Sequence, residues 1–235
     1  MPRIAVILGV GPGLSASIAR KLTATHNLVL LSRSMPDSFP RLNLDLPPSS
    51  YLALPSDGSR PSLDTAISEA KKKWPQGTID VGIFNTGGGF TPGPFLEQKE
   101  ETLRFNFEKN VIAAWNFGQA LIPVFLDNAP GENGGKGTLI YTGATMAVRG
   151  GAAFSAMAPT MFARRALTQS LAREFGPKGV HVAHVVVDGR IGTEAGEEGQ
   201  HLNPKEIAET YVSLVNQHKS VWTQELDIRP YDETF

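Results

Sequence analysis

IAVILGVGPGLSASIARKL, residues 4–22, passes from an unbroken apolar run through a glycine-rich turn into a helical pattern. Ile4–Leu8 reads as a strand buried on both faces, and Ala16–Leu22 returns apolar residues at helical spacing. The turn between them is Gly9-Val10-Gly11-Pro12-Gly13-Leu14-Ser15. Residues without a Cβ let the backbone approach a pyrophosphate. The next helix offers free N–H groups and the positive end of its dipole to the negative charge. A tight turn with no ligand would use the same glycines, but their place between a buried strand and a helix favours a dinucleotide cradle.

The same alternation continues outward from this unit. Leu28–Leu31 is a second strand, ending in Ser32-Arg33-Ser34. No acidic residue stands there to receive a ribose 2′-OH. Arg33 offers a planar cation suited to a 2′-phosphate, and Ser32 and Ser34 can add hydrogen bonds, so NADP(H) is expected over NAD(H). Arg33 as a solvated surface charge is the competing reading. Tyr51–Leu54 is a short strand, and an amphipathic helix lies between Leu63 and Trp74. Ile79–Phe84 is another buried strand, which runs into Asn85-Thr86-Gly87-Gly88-Gly89. A long helix, or two, covers Glu97–Asp127. Residues 137–193 then read as strand, long helix and buried strand. Pro204 opens a helix over Lys205–Gln217, and Thr223–Arg229 is a last strand. Strands alternating with helices predict an α/β fold: a Rossmann-like, doubly wound parallel sheet in three α/β/α layers, a single domain over residues 1–235.

In this order the segments resemble the short-chain dehydrogenase/reductase family, and the resemblance covers almost the whole chain. The family's Gly-x-x-x-Gly-x-Gly is matched at Gly9 and Gly13, with Ser15 in place of the third glycine. Ser15 can donate its hydroxyl to phosphate at a small packing cost. Asp57 resembles the Asp that contacts the adenine amino group, or is an ordinary loop aspartate. Asn85-Thr86-Gly87-Gly88 resembles the family's Asn-Asn-Ala-Gly, with close approach at the glycines and an Asn85 amide able to brace strands. Asp188-Gly189-Arg190-Ile191-Gly192-Thr193 stands for Pro-Gly-x-Val-x-Thr. There Ile191 and Thr193 resemble the groups that hold the carboxamide and phosphates. Leu14 and Gly11 complete the expected cofactor contacts.

In the family a Ser lies thirteen residues before the Tyr of a Tyr-x-x-x-Lys motif. Anchored on Phe162–Leu167 and Arg149-Gly150-Gly151, those positions fall on Ala144, Met157 and Met161. A competing register puts Phe154 and Ala158 at the last two. Neither supplies a phenol or an ammonium, and no Tyr-x-x-x-Lys occurs in the sequence. The resemblance therefore implies a divergent member without the Ser-Tyr-Lys set. Asn110 matches the Asn that completes that set and holds a water at a helix irregularity; alternatively it relieves a backbone kink. A thioether has no proton to give, and Ala144 has no polar side chain, so ordinary carbonyl reduction should be severely weakened. Two answers are open. One is a substrate needing hydride but no proton in the same step, such as an iminium ion or another electrophilic carbon. The other is that replacement residues do the work: Asp188, Thr145 and Arg149, with Thr142, Thr160 and Arg190 further candidates. Asp188 as a backbone cap and Arg149 as a loop brace are the competing readings. A polar lid is expected at about residues 190–204, with His201 a proton donor or simply exposed.

The leading expectation is an NADP(H)-dependent oxidoreductase with a non-standard active site acting on a small organic substrate. A non-redox isomerase or cyclase using the same cleft, or a catalytically inert NADP(H)-binding protein, are the alternatives. The family resemblance also implies a homodimer or homotetramer through the helices carrying Asn110 and Met157–Phe175. With 22 Lys+Arg against 23 Asp+Glu, the net charge of −1 carries no basic footprint for nucleic acid. No apolar run is long enough for a membrane span, and the opening residues lack a secretory signal. Zero Cys and five scattered His leave no metal-ligand pattern, and a cytoplasmic setting is expected.

Overall fold

In the computed structural model, which describes residues 1–87, 90–192 and 201–232, strands and helices alternate along the chain. They are β1 (Arg3–Leu8), α1 (Leu14–Leu22), β2 (His26–Ser32), β3 (Tyr51–Pro55), α2 (Arg60–Lys73), β4 (Thr78–Phe84), α3 (Glu100–Phe107), α4 (Ala113–Leu126), β5 (Gly137–Ala144), α5 (Ala158–Phe175), β6 (Val180–Val187), β7 (Arg190–Ile191), β8 (His201–Leu202), α6 (Pro204–Asn216) and β9 (Glu225–Ile228). Seven strands pair in the order β3-β2-β1-β4-β5-β6-β9, every pairing parallel. The chain starts at the centre, winds outward to β3, then crosses back and winds to β9. This is the doubly wound arrangement expected from the sequence.

The strands are apolar on both sides because both sides are covered. All eight residues of β6 are buried, so its hydrophobicity is continuous rather than alternating. On one face α1 and α6 pack Ile18, Leu22, Ile207 and Tyr211 against the sheet. On the other, α2, α4 and α5 contribute Leu63, Phe117, Phe125 and Leu167. These form two hydrophobic layers of one three-layer body.

Two irregularities at helix starts and turns position the groove residues. Residues expected as one or two helices over Glu97–Asp127 begin with a 3₁₀ turn at Phe95–Glu97. They then run as α3, a π-helical turn at Glu108–Ile112, and α4. The wide turn is the irregularity anticipated at Asn110 and carries that side chain into the interior, fully buried. The helix α1 starts at Gly13 with no side-chain cap and no acidic residue in its first turn. Its leading N–H groups are therefore left for an outside acceptor. By contrast, the α6 start is closed by the Asn203 side chain, which accepts from Lys205 N, with Pro204 at the first helical position.

The expected lid falls mostly outside the described residues, which omit 193–200. Its two ends are paired, Arg190 with His201 and Ile191 with Leu202. Gly192 N donates to Leu202 O at 2.9 Å.

Candidate functional site

The carboxyl ends of β1, β2, β4 and β5 open onto one groove, where ligands of open α/β sheets bind. It consists of two joined cavities. The inner one, about 320 Å³, is lined by the glycine loop, Asn85–Gly87, Asn110, the end of β5, Met157, Met161, Arg164 and Ile191. The outer one, about 580 Å³, is lined by Ser32, Arg33, Ser34, Ser56, Asp57, Phe105 and Lys109, among others. Gly9, Gly11, Thr86 and Gly87 border both, so the two form one continuous trough. A larger hollow of about 950 Å³ lies at the opposite strand ends, where Arg3 and Asp80 are ion-paired at 2.6 Å. That edge lacks the helix N-termini that suit an anion.

The glycine loop shows why its residues are small. Gly9 has φ +92°, and a Cβ there would lie 2.6 Å from the Asn85 carbonyl carbon and 2.8 Å from Thr86 N. Gly11, Gly13 and Gly87 are different: a Cβ on any of them would meet nothing within 4 Å. They leave open space along the trough beside the uncapped start of α1, as a pyrophosphate requires. Ser15, expected to donate to phosphate, instead donates its hydroxyl to Gly9 O at 2.9 Å and accepts from Asn85 Nδ2 at 2.5 Å. Its side chain is buried and ties the loop to the end of β4. The Asn85 amide thus braces the glycine loop, and Thr86 Oγ1 reaches Lys109 O at 3.1 Å.

At the outer end Arg33 and Ser34 are exposed and Ser32 is half-buried along the wall. Asp57 Oδ1 accepts from Ser59 N at 2.9 Å and from Ser62 Oγ at 3.1 Å. These bonds, Ser59's first, hold its carboxyl down to about 2. It is a charged acceptor fixed at the start of α2.

The inner end is walled by Ala144, Met157 and Met161, which pack together with Ala147 and Met146. The residues of the competing register lie elsewhere. Phe154 stacks at a tilt on Phe90, 5.7 Å between centroids, and neither it nor Ala158 lines the groove. No phenol lines the inner cavity among the described residues. The Tyr211 hydroxyl lies 2.7 Å from Thr142 Oγ1, and Tyr141 donates to Ala114 O at 3.1 Å. Both rings are fully buried, and burial pushes both phenols well above their ordinary value. Neither phenol borders the inner cavity.

Of the polar candidates, Asn110 and Thr142 line the inner cavity, whereas Asp188, Thr145, Arg149, Thr160 and Arg190 do not. Asp188 is buried, accepts from Thr145 Oγ1 and pairs with Arg229 at 3.3 Å. Its backbone N–H donates to Ile228 O at 2.8 Å. These contacts lash the ends of β5, β6 and β9 together, and the carboxylate's partners are the Thr145 hydroxyl and the Arg229 guanidinium rather than the local backbone N–H groups expected of a cap. Arg149 is exposed on the turn after β5. Thr193 lies outside the described residues.

Arg164 is absent from the candidates named on sequence grounds, yet it joins the whole inner wall. Its guanidinium donates from Nε to Asn110 O (2.9 Å), from Nη1 to Thr142 O (2.7 Å), and from Nη2 to Asn110 Oδ1 (2.7 Å) and Thr86 O (3.4 Å). It also lies over the Phe84 ring, 4.8 Å from the centroid. The Asn110 amide is completed by donation to Thr160 Oγ1 at 3.1 Å. Where the family resemblance implies a water held at Asn110, a guanidinium occupies both of that residue's oxygens. A signal exists in the sequence: 157, 161, 164 and 168 keep helical spacing, so Arg164 shares the inward face of the two methionines.

Below the end of β5, Gly143 has no room for a side chain, since a Cβ would stand 2.7 Å from His184 Cε1. Burial lowers His184 from the usual imidazole value against the opposing pull of Glu225, whose Oε2 lies 2.9 Å from the His184 Nδ1. Arg165 grips the same carboxylate at 2.6 Å.

Comparison with known proteins agrees with this geometry. Residues 3–203 match a family model described as short chain dehydrogenase. An L-2,3-butanediol dehydrogenase of Corynebacterium glutamicum is 34% identical over 154 residues, 64% of this chain and 56% of that protein, so the match spans little more than half of the relative. A solved short-chain dehydrogenase from Rhodopseudomonas palustris superposes with a TM-score of 0.81 at 28% identity, covering 97% of this chain and 99% of that one. A short chain oxidoreductase from Pseudomonas aeruginosa PAO1, described as containing an atypical catalytic center, has a TM-score of 0.82 at 16% identity, covering 99% and 98%. That last likeness is one of fold.

Proposed function

This chain belongs to the short-chain dehydrogenase family, whose members use a nicotinamide cofactor, and from that premise we propose that it is an NADP(H)-dependent reductase with a non-standard active site. The observation that carries the reading is the trough itself, open beside Gly11, Gly13 and Gly87 and ending in a wall that, among the described residues, holds no phenol and no ammonium. Gly9, Gly11, Gly13, Leu14 and Ser15 would hold the pyrophosphate. Asp57 would lie at the adenine, Arg33 with Ser32 at the 2′-phosphate, Asn85, Thr86 and Gly87 along the ribose, and Ile191 and Thr193 at the carboxamide. Ala144, Met157 and Met161 stand at the family's Ser, Tyr and Lys positions.

When bound, the cofactor supplies a hydride, one hydrogen with its electron pair. The acceptor is an electrophilic carbon of a small organic molecule whose π pair moves onto the adjoining atom; that atom takes a proton from water in a later step. This chain's residues contribute an apolar wall, a fixed cofactor bed and exclusion of water. Residues 1–235 act as one cofactor-binding domain, with the segment around 190–204 as its lid. A homodimer or homotetramer would cover the exposed apolar side chains Phe105, Ile112, Trp115 and Phe162 on the helices around Asn110 and Met161.

The test is a titration with NADPH and NADH, monitored by nicotinamide fluorescence. NADPH should saturate the wild type in the micromolar range. Arg33→Ala should weaken NADPH roughly tenfold, the scale of one lost charge-assisted phosphate contact, with little change for NADH. Equal loss for both cofactors would remove Arg33 from the 2′-phosphate site. No saturable binding would end the cofactor reading altogether.

A further inference from the structure

Arg164 is 1% exposed, and its four acceptors are all uncharged oxygens. Among the described residues no carboxylate pairs with it, and the inner cavity is lined by no Asp or Glu. Buried ions are ordinarily paired. Burial lowers the guanidinium only to about 10, so it keeps its charge at neutral pH. Carbonyl dipoles and the Phe84 ring stabilise this cation without cancelling it. Among the described residues the inner wall of the groove therefore carries one net positive charge with no counter-charge, in surroundings where Coulomb forces are screened far less than in water.

The rings of reduced and oxidised nicotinamide differ by one positive charge. We infer that Arg164 makes the inner end of the groove select by charge, favouring the neutral reduced nicotinamide over the oxidised cation and a neutral electrophilic acceptor over an iminium. The inference rests on the cofactor reading and adds a direction to it: the chain is poised to bind reduced cofactor, give up hydride and release the oxidised form. It also narrows the two acceptor classes expected from the sequence, because an iminium would bring a second cation to the wall that already holds Arg164. An activated alkene is neutral on arrival and gains negative charge as hydride adds. The Arg164 charge then favours the transition state over the ground state.

Arg164 is also a brace between the π-helical turn, the end of β5 and the segment after β4, so a bracing role must be separated from an electrostatic one. Dissociation constants for NADPH and NADP⁺ are measured by titration on the wild type, Arg164→Gln and Arg164→Lys. The wild type should bind NADPH at least about tenfold tighter than NADP⁺. Arg164→Gln, which removes the charge and keeps amide donors, should shrink that ratio about tenfold, equivalent to about 1.4 kcal/mol; Arg164→Lys should preserve it. A fold merely loosened by the substitution would weaken both forms alike and leave the ratio unchanged, which overturns the inference. A lysine variant that loses the ratio also overturns it. So does a wild-type ratio near one, a result that needs no variant to fold. Wild type that binds neither form refutes the cofactor reading instead.

Discussion

Gly9→Ala is expected to weaken cofactor binding severely and to lower thermal stability. The residue sits at φ +92°, where a left-handed conformation costs an L-residue roughly 1–2 kcal/mol. The larger penalty is steric. The new methyl would press into the Asn85 carbonyl carbon and Thr86 N, which are backbone atoms unable to swing aside. Either the loop 9–13 lifts from the sheet or the end of β4 shifts, and both line the groove. Overpacking of this kind costs about 1–3 kcal/mol more. A total of about 2–5 kcal/mol corresponds to a fall in Tm of roughly 5–15 °C for a chain of this size. NADPH affinity should drop by about 100-fold or more, because a displacement near 1 Å removes the alignment of loop N–H groups with phosphate. Thermal melts and NADPH titration read the two effects separately. Wild-type Tm with wild-type affinity would show that the close approach at Gly9 is not what shapes the cradle.

Ala144→Ser combined with Met157→Tyr should raise the reduction of simple ketones by about 100-fold or more over the parent. The two substitutions restore an oxyanion donor and a proton donor, each a contribution of roughly 10²-fold or more, and they act as a unit rather than additively. Both positions face the inner cavity, and the methionine and alanine side chains already touch one cluster. Met161 is left unchanged because Arg164, one helical turn further along α5, already supplies a buried cation that would lower the new phenol's pKa. NADPH consumption with a ketone panel measures the gain. A double variant that binds NADPH as the parent does and still reduces no ketone would mean that Met157 is not at the proton-donor position.

Much of the fold is readable directly from residues because parallel strands covered on both faces have a plain signature. Ile4–Leu8 and Leu28–Leu31 are short continuous apolar runs, Ile79–Phe84 is apolar but for Asp80 and Gly82, and each proves to be the largely buried part of a sheet strand. The groove is legible for a related reason: the residues that make it are mostly small, and glycines at strand ends have few other uses. Side-chain direction is harder to read. Ser15 faces inward to Gly9 and Asn85, because the hydroxyl of a buried residue must find a partner nearby. Asp188 turns to Thr145 and Arg229, contacts from β5 and β9 that no local spacing could show. Arg164 is concealed by its own chemistry. The helical period places it inward, but a charged side chain is rarely assigned to an interior without a visible counter-charge. What allows it there is the π-helical turn, which brings both oxygens of Asn110 within reach. A single-residue change in helix register leaves little trace in composition.

We propose a nicotinamide groove whose substrate end offers, among the described residues, no phenol and no ammonium. NADPH consumption by the wild-type protein with simple ketones and aldehydes, at a cofactor concentration shown by titration to be saturating, tests this most directly. The prediction is turnover far below the usual enzymatic range of about 1–10³ s⁻¹. Reduction of an unactivated ketone within that range would contradict it, because a proton would then be reaching the carbonyl oxygen from a group that the groove described does not contain.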